Sequence, residues 1–263
     1  MLKSVLLLCR VWNALFAAGV CAYSFFIVKN NYEINYYEVL FLSFGIMFLV
    51  CFANAHNDII DFEIDKINRP KRPLPSGKIS IKAAYRLLGI LLFFTMTFSL
   101  LAGFEFAFLF LVAASLCFAY NRFLKGLPLV GNLTVALLST MPVVIPMLSF
   151  GLAQKELLML AFLAFMLTFA REITKDIEDI EGDRAKNLKT FPLLVGANHS
   201  LALVLLIHFQ CLLQMALFNP FLLVWAAPFI AISIIFALLK KWNLSQNMLK
   251  LAMLGCLAAF LPL

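Results

Sequence analysis

The sequence predicts an all-α integral membrane bundle of about nine transmembrane helices. Three observations carry that expectation. Hydrophobic residues fill 63% of the 263 positions and charged residues only 13%, an apolar excess that a soluble domain of this size cannot hide. The apolar residues gather in stretches of bilayer-crossing length. The basic residues fall on alternate connections, as the positive-inside rule requires of a multi-pass protein.

The stretches lie near 11–28, 37–56, 84–102, 104–120, 132–151, 156–171, 200–218, 221–239 and 248–263. Lys3 followed by Val5, Leu6, Leu7 and Leu8 resembles the start of a signal peptide. Arg10 and Asn13 interrupt its apolar core and no small-x-small cleavage site follows, so a retained first helix is expected. The last stretch falls short of the ~20 residues that usually cross a bilayer, so the ninth span is expected to be tilted or incomplete. Connections are brief except at 57–83 and 172–199, and residues 1–263 read as a single transmembrane domain. The six cysteines are scattered singly through apolar segments without metal-ligand spacing, which suits small buried hydrophobes.

With the N-terminus cytoplasmic, 19 of the 21 Lys and Arg fall on the cytoplasmic side, and Lys29 and Lys155 alone lie opposite. The net charge of +7 therefore reports topology and contact with anionic lipid or substrate, not nucleic acid. No obligate protein partner is evident in the pattern.

The acidic residues are more concentrated. Of 14 Asp and Glu, 10 fall within 58–65 and 172–183. Asp58, Asp61 and Asp65 follow D-x-x-D-x-x-x-D; Asp176, Asp179 and Asp183 repeat it at an offset of 118, and Glu63 and Glu181 correspond as well. Four spans separate the motifs, so both belong on the cytoplasmic face. The repeat suggests an internal duplication, with segments 54–77 and 172–190 as its copies and a polar site where the halves meet.

On continuous extensions of the second and sixth helices, the three Asp of each motif share a stripe roughly 60° wide, flanked in the first by Asn54 and Asn57. Glu63, Glu178 and Glu181 point away, toward solvent or Lys partners. A bland alternative is a salt-bridged face using Lys66, Arg69, Lys175 and Arg184. Such a face has no reason to repeat its spacing. Hard oxygen donors without a His or Cys cluster suit Mg²⁺, which completes its shell with water and phosphate. A diphosphate on a long hydrocarbon fits this setting, head group at the carboxylates and tail among apolar side chains, some of the 28 Phe among them. Between the first motif and the third helix, Arg69-Pro70-Lys71-Arg72-Pro73-Leu74-Pro75-Ser76-Gly77 reads as a stiff cationic loop, with prolines stopping the helix and Gly77 permitting a turn. Such a loop can close over a diphosphate and exclude water.

Asn57-Asp58-x-x-Asp61-x-x-x-Asp65, continuing into Arg69–Gly77, resembles the first signature of the UbiA-type intramembrane prenyltransferases. The run Arg171 to Asp183 resembles their second. Tyr120-Asn121-Arg122-Phe123-Leu124-Lys125, followed by Gly131-Asn132, is similar to their Tyr/Lys loop. The resemblance spans residues 10 to about 196 and implies a nine-helix bundle around a central cavity open laterally to lipid, with two Mg²⁺ ions bridging a diphosphate. It assigns Asn57, Asp61 and Asp65 to one ion, Asp179 and Asp183 to the other, and Asp58 and Asp176 as ligands or their partners. It makes Lys125, Tyr120, Arg69, Arg72 and Lys175 candidates for holding diphosphate oxygens, and Arg10 and Asn13, one turn apart on the first helix, candidates for the acceptor cavity. His56 beside Asn57 is weak evidence of a base.

The implied activity is transfer of a polyprenyl group from its diphosphate to a lipophilic acceptor. The loop and second signature look most like the geranylgeranylglycerol-phosphate geranylgeranyltransferase branch, which forms ether lipids and phospholipid precursors. Elements around Gly182-Asp183-Arg184-Ala185 and Thr190-Phe191-Pro192 also resemble the chlorophyll-synthase branch, and aromatic quinone precursors are a further acceptor class. A transporter or lipid carrier is the remoter alternative, since repeated halves with intramembrane charge occur there too.

Overall fold

In the structure, a computed structural model, residues 2–29, 32–151, 154–185 and 188–260 are described. Positions 186 and 187 of the second acidic segment and 261–263 of the last apolar stretch lie outside them. The helices, in chain order, are α1 (Leu2–Leu8), α2 (Val11–Ile27), α3 (Tyr36–Ile60), α4 (Phe62–Asn68), α5 (Ile81–Ala102) and α6 (Phe104–Ala119). A π-helical turn, Tyr120–Leu124, prolongs α6. There follow α7 (Val130–Ser139), α8 (Met141–Ser149), α9 (Lys155–Glu178), α10 (Ile180–Ala185), α11 (Phe191–Val195), α12 (Ala197–Phe218), α13 (Pro220–Leu238) and α14 (Trp242–Ala258).

Every apolar stretch read from the sequence is helical over most of its described length, and the one near 132–151 is broken at Thr140 into α7 and α8. Among the described residues six helices are long and apolar enough to cross a membrane, or eight if each of the bent pairs α1–α2 and α7–α8 is one span. The expected nine is not confirmed among the described residues: α14, in the stretch expected to be short, has 17 residues and rises only about 25 Å against a hydrocarbon core ~30 Å thick.

The chain divides into two compact units, Met1–Arg122 with Met141–Leu152, and Phe123–Thr140 with Ala153–Leu263. In the first, α3 is the hub, with α2, α5, α6 and α8 packed on it. Asn35 caps α3, its Oδ1 accepting from the amides of Tyr37 and Glu38. The seam between α3 and α5 is a ladder of rings, with Phe98 stacked on Phe44 at 5.2 Å and on Phe48 at 5.6 Å, and Phe48 on Phe94 at 5.1 Å. Offset stacking of this kind adds to the dispersion that holds helices together where lipid removes the hydrophobic drive.

In the second unit α9 is the hub, packed by α7, α12 and α14, and α13 lies along α14. Small polar side chains fasten these seams. Ser139 Oγ donates to Thr168 Oγ1 at 3.0 Å between α7 and α9. Ser233 of α13 lies 2.9 Å from Ser245 Oγ of α14, with the buried His208 of α12 beside it. Hydrogen bonds between helices are the usual glue of membrane bundles. All six cysteines are free thiols and buried, as their scatter predicts.

Candidate active site

The two acidic motifs share a local backbone geometry that helical periodicity does not foretell. The hub helix α3 stops at Ile60, Asp61 adopts φ −81°, ψ 4°, and α4 begins at Phe62. The other hub, α9, stops at Glu178, Asp179 adopts φ −92°, ψ 7°, and α10 begins at Ile180. In each case the break falls on the middle Asp, at the same register of the repeat. The turn is bridged alike, Asp61 N–H donating to Asn57 O and Asp179 N–H to Lys175 O, both at 2.9 Å. A ψ near 0° where a helix needs about −42° swings the following turn off the axis. The expected unbroken stripe is therefore corrected to a broken one. In the first motif Asp58 and Asp65 are buried and Asp61 half-buried; in the second Asp183 is buried, Asp176 half-buried and Asp179 exposed. Glu63, Glu178 and Glu181 are exposed, as expected, and Glu63 pairs with Lys66 at 2.9 Å.

In the first unit the motif is bound up with cations. Asp58 Oδ1 accepts from Arg10 Nη2 at 2.8 Å and from Arg72 Nη1 at 3.2 Å. Arg72 Nη1 also pairs with Asp65 Oδ2. Asn57 Nδ2 donates to Asp61 Oδ2 at 3.1 Å, one helical turn on. Arg10 does not stand on a helix beside Asn13, which corrects the sequence expectation. It forms the joint between α1 and α2, in a left-handed conformation (φ 47°, ψ 53°), where the two helices bend by 58°. Asn54 clamps that joint, accepting from Arg10 Nη1 at 3.1 Å and donating to Cys9 O at 3.2 Å. Asn13 is exposed and is not among the residues that line the neighbouring cavity.

That cavity, about 450 Å³, is lined by Leu7, Arg10, Asp58, Arg69, Pro70, Lys71, Arg72 and Pro73. The cationic loop thus reaches the first motif. Its turn is closed by Ser76 N–H to Arg72 O at 3.0 Å and Gly77 N–H to Leu74 O at 3.0 Å, with Gly77 at φ 71°, before Ser80 caps α5. His56 is held away from base chemistry. It is buried and stacked between Phe52 and Phe118, with Nδ1 2.9 Å from the Asn121 amide nitrogen. The amide must donate there, so Nδ1 is an acceptor. Asn121 belongs to the π-helical turn that begins at Tyr120, so His56 fixes the start of the Tyr/Lys loop.

In the second unit Asn132 Nδ2 donates to Asp176 Oδ2 at 2.7 Å, tying α7 to the second motif. Lys175 lies 3.9 Å from the buried Glu172, which also pairs with Arg171. Half-buried Lys125 sits on a loop whose Gly126 O accepts from Lys189 N–H at 3.0 Å. Gly131 lets this loop fold tightly onto α7, since a Cβ there would stand 2.8 Å from Leu124 O and 3.3 Å from Lys125 O.

Among the described residues no three His, Cys, Asp or Glu side chains converge as a metal cluster. The donors at each motif are nonetheless carboxylates and amides without a soft ligand, and one or two carboxylates are what Mg²⁺ needs when phosphate and water complete its shell. The residues present fit that ion. Sequence reasoning did not anticipate the Asn54 clamp on Arg10, the Asn121–His56 bond or the Asn132–Asp176 bond. Each joins residues more than forty apart, and a lone Asn in an apolar helix is the one signal they leave.

Helices of membrane-crossing length, with twin broken Asp motifs and a basic loop at one of them, define a multi-pass membrane protein with a polar site. The UbiA prenyltransferase family matches residues 14–260, and the chain belongs to that family. Digeranylgeranylglyceryl phosphate synthase of Methanosphaera stadtmanae is 33% identical over 89% of this chain and 88% of its own. The synthase of the same name from Pyrococcus horikoshii is 42% identical over 62% of this chain and 59% of its own. A solved structure of a digeranylgeranylglyceryl phosphate synthase superposes with a TM-score of 0.74 at 30% identity, covering 98% of this chain and 96% of that one. The UbiA homolog of Archaeoglobus fulgidus bound to GPP and Mg²⁺ shares the fold, with a TM-score of 0.69 at 17% identity and 98% of each chain covered.

Proposed function

We propose that this membrane prenyltransferase transfers a geranylgeranyl group from its diphosphate to the free hydroxyl of geranylgeranylglyceryl phosphate, in ether-lipid synthesis. The observation that carries the acceptor is the likeness, along most of both chains, to a relative named for that product. The N-terminus and both Asp motifs face the cytoplasm in this reading, and the motifs are the two copies of an internal duplication.

Asn57, Asp61 and Asp65 would hold one Mg²⁺, and Asp179 and Asp183 another, with Asn132 orienting Asp176 beside it. Bound Mg²⁺ supplies neutralisation of the charge that develops on a departing diphosphate. Lys125 and Lys175 grip the diphosphate oxygens, with the Tyr120 hydroxyl alongside. The allylic C–O bond breaks with its electron pair remaining on diphosphate oxygen. The acceptor hydroxyl oxygen forms the new C–O bond to the allylic cation, and its proton passes to a carboxylate or to the released diphosphate. Aromatic faces stabilise the cation, and the Pro-rich loop keeps water from capturing it.

The test uses purified protein, labelled geranylgeranyl diphosphate and two acceptors, geranylgeranylglyceryl phosphate and 4-hydroxybenzoate. Transfer to the glyceryl phosphate, lost with EDTA and restored by Mg²⁺, is the expected result. Transfer to the aromatic alone would keep the chemistry and overturn the acceptor. No transfer to any acceptor in detergent, where transport has no meaning, would favour a carrier.

A further inference from the structure

We infer that Asp58 is not a metal ligand but a positioning residue: it anchors Arg10 and Arg72 in a cationic pocket that takes the phosphomonoester of the acceptor. This rests on the acceptor proposed above and names the part of the chain that would recognise its head group.

The geometry of one oxygen carries the argument. Asp58 is 4% exposed, and a buried carboxylate is stable only when it is paired and hydrogen-bonded. Its Oδ1 already receives two guanidinium groups, Arg10 at 2.8 Å and Arg72 at 3.2 Å. A divalent cation at that oxygen would have to displace both. Arg72 also pairs with Asp65, so it can release Asp65 to a metal and stay anchored through Asp58. Arg10 arrives on the left-handed joint that Asn54 clamps. A guanidinium has five N–H donors. Arg10 spends Nη1 on Asn54 and Nη2 on Asp58, and Arg72 spends Nη1 on its two carboxylates. Donors remain on both groups for an anion.

The cavity they line also presents Arg69 and Lys71, and Asp58 is its one acidic wall. Four cations against Asp58, and Asp65 held on Arg72, leave an excess of two positive charges, which matches a dianionic phosphate, and planar guanidinium forks suit its oxygens. At about 450 Å³ the space lies within the range of small-ligand sites. Leu7 and the flanking prolines supply apolar wall for the glycerol and the first carbons of the chain. The same phosphate chemistry could come from the donor diphosphate, and the test separates the two sources.

Asp58→Asn keeps the shape and removes the anchoring charge, and Asp61→Asn serves as comparison. Mn²⁺ binding to each purified variant without substrate, read by electron paramagnetic resonance, reports metal ligation directly. Asp58→Asn is expected to bind Mn²⁺ within about 2-fold of the parent, whereas Asp61→Asn weakens it about 10-fold or more. In steady state, Asp58→Asn raises KM for the phosphorylated acceptor about 10-fold or more, well beyond any change in donor KM or in turnover at saturating acceptor. The preference for geranylgeranylglyceryl phosphate over unphosphorylated geranylgeranylglycerol collapses with it. Arg10→Gln gives the same acceptor-specific change should Asp58→Asn fail to fold. Weakened Mn²⁺ binding by Asp58→Asn, or a rise in donor KM in place of acceptor KM, would overturn the inference. If the parent transfers nothing to the glyceryl phosphate, the acceptor reading fails by itself. The pocket is then judged by calorimetric binding of the two acceptors, where a phosphate preference lost in Asp58→Asn upholds it and none in the parent refutes it.

Discussion

Asp61 and Asp179 each stand at the one position where a hub helix changes direction, so each carboxylate projects from a turn and not from a packed helical face. The half-buried Asp61 and the exposed Asp179 are the motif members best placed to meet an incoming ligand. Asp61→Ala or Asp179→Ala is expected to lower Mg²⁺-dependent prenyl transfer about 100-fold or more, measured on protein that still melts like the parent. Near-parent turnover in either would remove the motif from the chemistry. Asn132 acts one step back, through its 2.7 Å bond to Asp176. Its replacement by Ala is expected to cost about 10-fold in transfer, the scale of lost ligand-orienting partners. At His56 the expected effect is on stability. Asn121→Ala leaves Nδ1 buried without its donor, which costs roughly 1–3 kcal/mol and should appear as a lower melting temperature in detergent.

Elements are where sequence and structure part company. Apolar length placed the spans because bilayer thickness leaves few choices, and the offset of 118 exposed the twin motifs because identical spacing is cheap to detect. The breaks at Asp61 and Asp179 left no such mark, since Asp is tolerated on either side of a helix end and the 3.6-residue period continues formally through it. The left-handed joint at Arg10 was equally hidden, because that conformation is announced by Gly or Asn and seldom by Arg. Close approach is the other silent constraint. Gly131→Ala forces the backbone at Leu124 and Lys125 to yield, so it should cost about 1–3 kcal/mol and lower transfer through the displaced Lys125 loop. Gly89 of α5 is the control, with open space around its Cβ position. Ala there should be neutral or stabilise by about 0.5–1 kcal/mol. A Gly131→Ala protein as stable and active as the Gly89→Ala protein would show that the loop has room to spare.

The charge pattern makes a statement about the whole molecule. Basic residues on alternate connections predict the Pro-rich loop inside and Lys155 outside. Because all six native thiols are buried, an introduced cysteine can be read against a quiet background. An impermeant maleimide applied to intact cells should label Lys155→Cys and spare Ser76→Cys, and the reverse result would invert the topology. An orientation can be predicted from sequence because charge asymmetry is summed over many loops. The wiring of Arg10 to Asp58, 48 residues apart, cannot, because it depends on one joint in the backbone. That joint also sets how far the sequence can drift. Gly or Asn at position 10 would accept φ 47° without the ~1–2 kcal/mol penalty of a left-handed L-residue, yet neither carries the charge. Lys would keep the charge but not the fork that spans Asn54 and Asp58. Every substitute fails for a different reason, so a saturation scan should find position 10 almost closed to replacement, an island of intolerance in a helix pair whose exposed neighbours, Leu6 and Trp12, vary freely.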